Sequence, residues 1–101
     1  MKKKQIIVNI DFEIMYKKHN VEDLPKSIQK AIKRLSEDYS GIVNFSIGQG
    51  IDGKWLVNCN TINNDLKTAR EILKVFINKI EFIFNSKTKQ IKRIESVIYS
   101  N

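Results

Sequence analysis

With 101 residues, 42% of them hydrophobic, the chain has room for one α+β domain over 1–101 built on a single modest core. One cysteine, Cys59, and one histidine, His19, rule out a disulfide scaffold and leave too few soft ligands for a zinc site. Lys and Arg number 18 against 11 Asp and Glu, a formal net charge of +7, which favours an acidic partner, either nucleic acid or protein.

The basic residues are mostly Lys; only Arg34, Arg70 and Arg93 offer the planar fork suited to bidentate phosphate recognition. The start MKKKQIIV has a basic, then apolar, character, but Asn9, Asp11 and Glu13 interrupt it. The longest unbroken apolar runs are three residues, too short to span a bilayer. The expectation is therefore a soluble, cytoplasmic protein with no membrane partner.

Residues 5–14 alternate strictly, with Ile6, Val8, Ile10, Phe12 and Ile14 on one side, and predict a half-buried strand. Residues 24–38 carry Leu24, Ile28, Ala31, Ile32 and Leu35 at helical spacing. Asp23 or Leu24 is the expected N-cap, Pro25 falls in the first turn, and Gly41 is placed to end the segment. Residues 42–47 and 54–60 alternate again and predict two strands joined at Asp52-Gly53, a hairpin signal.

A strict two-residue turn there sets Ile47 opposite Asn58, which puts Trp55, Val57 and Cys59 on the wrong face. A bulge at Gly48 or Gly50 would repair the phase. Residues 64–84 predict a second helix capped by Asn63 or Asn64, with a stripe from Leu66 through Leu73, Phe76 and Ile80 to Phe84. Residues 90–99 fit either period, but their β-branched content predicts a strand. The order βαββαβ closes most simply as a ferredoxin-like sandwich: a four-stranded antiparallel sheet with two helices on one face.

No nucleophile–base pair, metal cluster or cofactor motif is present, so the expectation is a non-catalytic protein without a cofactor. His19 reads as a solvated loop residue and Cys59 as a buried strand cysteine. Asp11 and Glu13 share one side of the first strand, where a cation could sit but a plain polar face is the simpler reading. The G-x-G of Gly48-Gln49-Gly50 leads into a strand rather than a helix, so it fits hairpin geometry better than phosphate binding.

Two features point to a partner. Lys26, Lys30, Lys33 and Arg34 lie opposite the apolar stripe of the first helix, and Lys87, Lys89, Lys92 and Arg93 form a second basic cluster. Both are candidate nucleic-acid contacts, although the polar side of the first strand lacks the aromatics of a base-stacking sheet. Val75 and Phe82 fall about 140° from the core stripe of the second helix by its 3.6-residue period. If the helix is continuous they form a protein interface, and a homodimer is the simplest cover. The expectation is a small basic binding module, with nucleic acid slightly favoured. The alternative is a protein–protein module, such as an inhibitor, an adaptor or a homodimer subunit, working through the second helix or a sheet edge.

Overall fold

The computed structural model describes residues 5–15, 24–50, 53–84 and 90–100. Six elements follow one another: β1 (Gln5–Met15), α1 (Lys26–Asp38), β2 (Asn44–Gln49), β3 (Lys54–Asn63), α2 (Leu66–Ile83) and β4 (Gln90–Ser100). The four strands form one sheet in the order β2-β3-β1-β4, with every neighbouring pair antiparallel. The protein is thus α+β, as its patterning predicts.

The alternation of β1 decides which face of the sheet is buried. Ile6, Val8, Ile10, Phe12 and Ile14 are all buried. Directly opposite residues share a face, so the register Val8↔Thr61, Ile10↔Cys59, Phe12↔Val57 and Ile14↔Trp55 brings the buried side of β3 alongside. Leu35 of α1 and Ala69, Leu73, Phe76, Ile77 and Ile80 of α2 complete this single cluster. Each large side chain so buried contributes roughly 1.5–3 kcal/mol of transfer free energy. Phe76 is the centre of an aromatic group, with Tyr39 at 5.1 Å and Phe45 at 5.2 Å, both edge-on.

The hairpin phase is repaired in a different place from the one expected. The β2–β3 ladder is regular, with Phe45↔Cys59, Ile47↔Val57 and Gly48↔Leu56. Gly50 N–H donates to the Lys54 carbonyl at 2.7 Å, so the connection 51–53 itself carries the additional residue. The positive φ belongs to Gly53, at 76°, rather than to Gly48 or Gly50. A bulge at either of those two is not needed.

The helix caps also differ from expectation by one or two residues. α1 starts at Lys26 with Pro25 in the cap position, its carbonyl accepting from the Ile28 and Gln29 amides. α2 is capped by Asp65, whose carboxylate accepts from the Thr68 amide at 3.2 Å, while the Asn63 side chain accepts from the Asp65 amide. The Thr68 side-chain hydrogen bond, then its backbone one, holds the Asp65 carboxyl below its ordinary value. Gly41, at φ 81°, turns the chain after α1. Among the described residues, no helix is long and apolar enough to cross a membrane.

Candidate functional site

Three surfaces hold the residues singled out above, beginning with α2. The helix is continuous from Leu66 to Ile83, so Val75 and Phe82 do face away from the core stripe. Phe82 is 84% exposed and Val75 48%. Phe84, two residues on, is fully buried, with its ring 5.8 Å from that of Trp55. Val75 and Phe82 line a groove of about 430 Å³ between the helices, with Ala31 and Leu35 of α1 on the other wall and Arg34, Asp38 and Lys79 around it. An apolar floor with charges of both signs at the rim is the composition of a protein contact.

Among the described residues, the basic side chains singled out above do not form one surface. Lys26, Lys30, Lys33 and Arg34 are exposed on α1. Lys92 and Arg93, consecutive on a strand, project to opposite faces. Arg93 stands opposite buried Phe12, on the helix side of the sheet. Lys92 instead borders a depression on the other face. Lys87 and Lys89, like His19, lie outside the described residues.

On the helix side, α2 separates Arg93 from the basic residues of α1. Arg70 bonds Glu95 of β4 at 2.7 Å, while Lys79 stands 5.4 Å from the ring of Tyr39, which ends α1. Nine positions apart, Arg70 and Lys79 point about 180° from each other, so α1 and β4 flank α2 on opposite sides.

The third surface is the helix-free face of the sheet; of its polar residues the sequence singled out Asp11 and Glu13 but not the asparagines that join Asp11. Asn44 donates to Asn60 at 3.0 Å, and Asn60 to Asn58 at 3.4 Å. Asn58 donates to Asn9 at 3.0 Å and to Asp11 at 2.7 Å, and Asn9 to Asp11 at 3.3 Å. This amide ladder crosses β2, β3 and β1. The signal was the alternation of β3, which becomes readable only once the register with β2 is known.

On one side of the ladder Ile62, Ile7 and Ile98 stand in a row across three strands. On the other, Leu56 and Ile94 border a depression of about 490 Å³. Asp11 and Glu13 also line it, but amides already occupy both Asp11 oxygens. Among the described residues no three His, Cys, Asp or Glu side chains gather as a metal site would require. Cys59 is buried on the opposite face, and desolvation pushes its thiol up to about 12, with Arg93 opposing and Asp11 adding to the rise. A thiol so placed is a core group and a poor nucleophile.

These features define an α+β sandwich with one open sheet face and one apolar interhelical groove. No protein-family model matches the chain, and no curated protein matches its sequence. Solved structures resemble it at low sequence identity. A C-terminal segment of the alpha subunit of aIF2 from Pyrococcus abyssi shares 14% identity at a TM-score of 0.50, with 96% of this chain covering 51% of that one. A de novo designed protein, Foldit4, shares 12% identity at a TM-score of 0.46, covering 96% of this chain and 97% of the other. A hydantoinase/carbamoylase family amidase from Burkholderia ambifaria shares 10% at 0.48, and the chain spans 27% of its length.

Proposed function

We propose that this protein is a non-catalytic protein-interaction module that takes apolar side chains of a partner protein into the groove between α1 and α2. The observation that carries this reading is Phe82, 84% exposed on a continuous helix. An aromatic ring at the edge of an apolar groove is the type of group that anchors protein interfaces. The architecture is read as ferredoxin-like, supported by the βαββαβ order and the strand order β2-β3-β1-β4. That fold hosts many unrelated functions and adds no activity of its own.

The runner-up is a nucleic-acid module. The net charge of +7 and the exposed α1 residues Lys26, Lys30, Lys33 and Arg34 favour it. The division of Lys92 from Arg93, and of both from α1, weighs against a continuous phosphate track.

The two readings separate in one experiment. Wild type, Phe82→Ser and the double variant Lys30→Glu with Arg34→Glu are immobilised and exposed to extract of the source cells with and without nuclease treatment. A protein partner retained by wild type and by the charge variant, and lost with Phe82→Ser, supports the groove. Retention that needs nucleic acid, or is lost in the charge variant and kept by Phe82→Ser, moves the function to the basic surface. In that case binding to generic DNA or RNA falls steeply with salt, and the charge variant flattens the slope.

A further inference from the structure

We infer that β4 is a self-pairing edge, and that two copies of the chain join β4 to β4, antiparallel, about a two-fold axis at Ile94. The result is one continuous sheet with four strands from each copy.

The edge is open and long. β4 is the last strand in the order β2-β3-β1-β4 and runs for 11 residues, against 6 for β2 at the opposite edge. Among the described residues, one side of its backbone therefore meets no strand of its own chain. Such edges are usually blunted by proline, by brevity, by a bulge or by charged side chains, and the charges of β4 include Arg93 and Glu95, of opposite sign, which a second copy can pair. Here the register shift lies near the beginning of β4, opposite the stretch from Phe12 to Ile14. From Arg93 to Ser100 the pairing with β1 is regular, and a pairing centred on Ile94 takes in the exposed Ile94 and Ile98 of this stretch while setting Ser96, Val97 and Ile98 against positions 92, 91 and 90 of the other copy, where the shift lies.

The side chains then select a partner and a register. Alternate residues of β4 turn their backbone groups toward β1, which leaves the other set for a new neighbour. Symmetric pairing must oppose like with like, so one residue faces its own copy. An axis at Glu95 opposes two carboxylates, and an axis at Arg93 opposes two guanidinium groups, both unfavourable. An axis at Ser96 leaves Glu95 against Val97, and an axis at Val97 leaves it against Tyr99, so neither gives the carboxylate a cation.

At Ile94 the charges match. Arg93 and Glu95 flank it on one face of the strand, so each Arg93 meets the other copy's Glu95, and Ile94 meets its own copy on the other face. Glu95 already accepts from Arg70 at 2.7 Å. A carboxylate has acceptor sites for a second donor, so the pairing leaves that bond intact.

The inference does not rest on the groove, and its test is run in both the wild-type and the Phe82→Ser chain. Light scattering after size-exclusion chromatography reads the mass. The wild type is a dimer that dissociates on dilution, and the dimer survives Phe82→Ser. Arg93→Glu alone, or Glu95→Arg alone, weakens dimerisation about tenfold or more, because both opposed pairs become like-charged.

An equimolar mixture of the two variants dimerises again. In the mixed pair the introduced carboxylate meets the introduced guanidinium, and the native Arg93 of one chain meets the native Glu95 of the other. Circular dichroism checks that each variant is folded. For variants that fail this control, amide exchange in the wild type decides: dilution must deprotect the alternate β4 amides that face away from β1. A monomeric wild type, a dimer lost with Phe82→Ser alone, an unrestored mixture of folded variants, or β4 exchange that ignores concentration overturns the inference.

Discussion

Phe45 of β2 stands directly opposite Cys59 of β3, and the Phe45 ring meets the edge of Phe76 at 5.2 Å on the helix side of the sheet. That pairing keeps the apolar residues of both strands on one face. It is possible because the residues 51–53 connect Gly50 to Lys54 and Gly53 takes φ 76°.

Gly53→Ala therefore lowers stability by about 1 kcal/mol or more, since an L side chain is strained in the left-handed region. Gly48→Ala changes it little, because Gly48 has no positive φ and a Cβ there meets nothing within 4 Å. Urea denaturation of both variants checks the placement of the turn. A larger loss at Gly48 than at Gly53 would restore the bulge.

Phe76 and Phe82 lie on the same helix with opposite fates. Phe76→Ala removes a fully buried ring and costs about 3–5 kcal/mol. Phe82→Ser acts on a ring that is 84% exposed and changes stability by no more than about 0.5 kcal/mol. If Phe82→Ser unfolds the protein, Phe82 is a core residue and the groove loses its anchor.

Cys59 reports on the integrity of the sheet. With its thiol pushed up from 9.0 to about 12 by burial, the folded protein holds it neutral and out of reach. Alkylation by iodoacetamide near pH 9 is slower in the folded than in the urea-unfolded protein by roughly a hundredfold or more, as thiolate falls tenfold per unit. The linked stability has a definite sign. A folded value above the unfolded one contributes stability below pH 9.0, and this is lost as pH rises from 9.0 toward 12. Cys59→Ala flattens the alkaline slope, which thermal melts across that window measure.

At the start of α2 the sign is opposite. The Thr68 hydrogen bonds lower the Asp65 carboxyl below 3.8, so its contribution is present above that value and is lost as pH falls through the depressed folded value. Asp65→Ala melts at a lower temperature than wild type at neutral pH, and the two converge in acid. A difference that persists unchanged in acid would assign the effect to helix propensity instead of the cap.

The sequence by itself determined the elements and their buried sides. Five alternating apolar residues in β1 and a helical stripe in α2 dictate local conformation through backbone period alone. The exposure of Phe82 was readable only on the condition that α2 is continuous, since an i, i+7 pair falls on one side of a helix; the continuity to Ile83 was decided by the structure. The tertiary structure decided what depends on pairing. Whether the phase between β2 and β3 was restored by a bulge or by the connection turned on which glycine takes a positive φ, and alternation cannot tell these apart. The amide ladder through Asn44, Asn60, Asn58, Asn9 and Asp11 joins residues from three strands, so it exists only once the register is set. The basic residues divided for a related reason. Lys92 and Arg93 are neighbours in the chain, but a pleated strand sends consecutive side chains to opposite faces, so the sheet divides Lys92 from α1 and α2 stands between Arg93 and the lysines of α1.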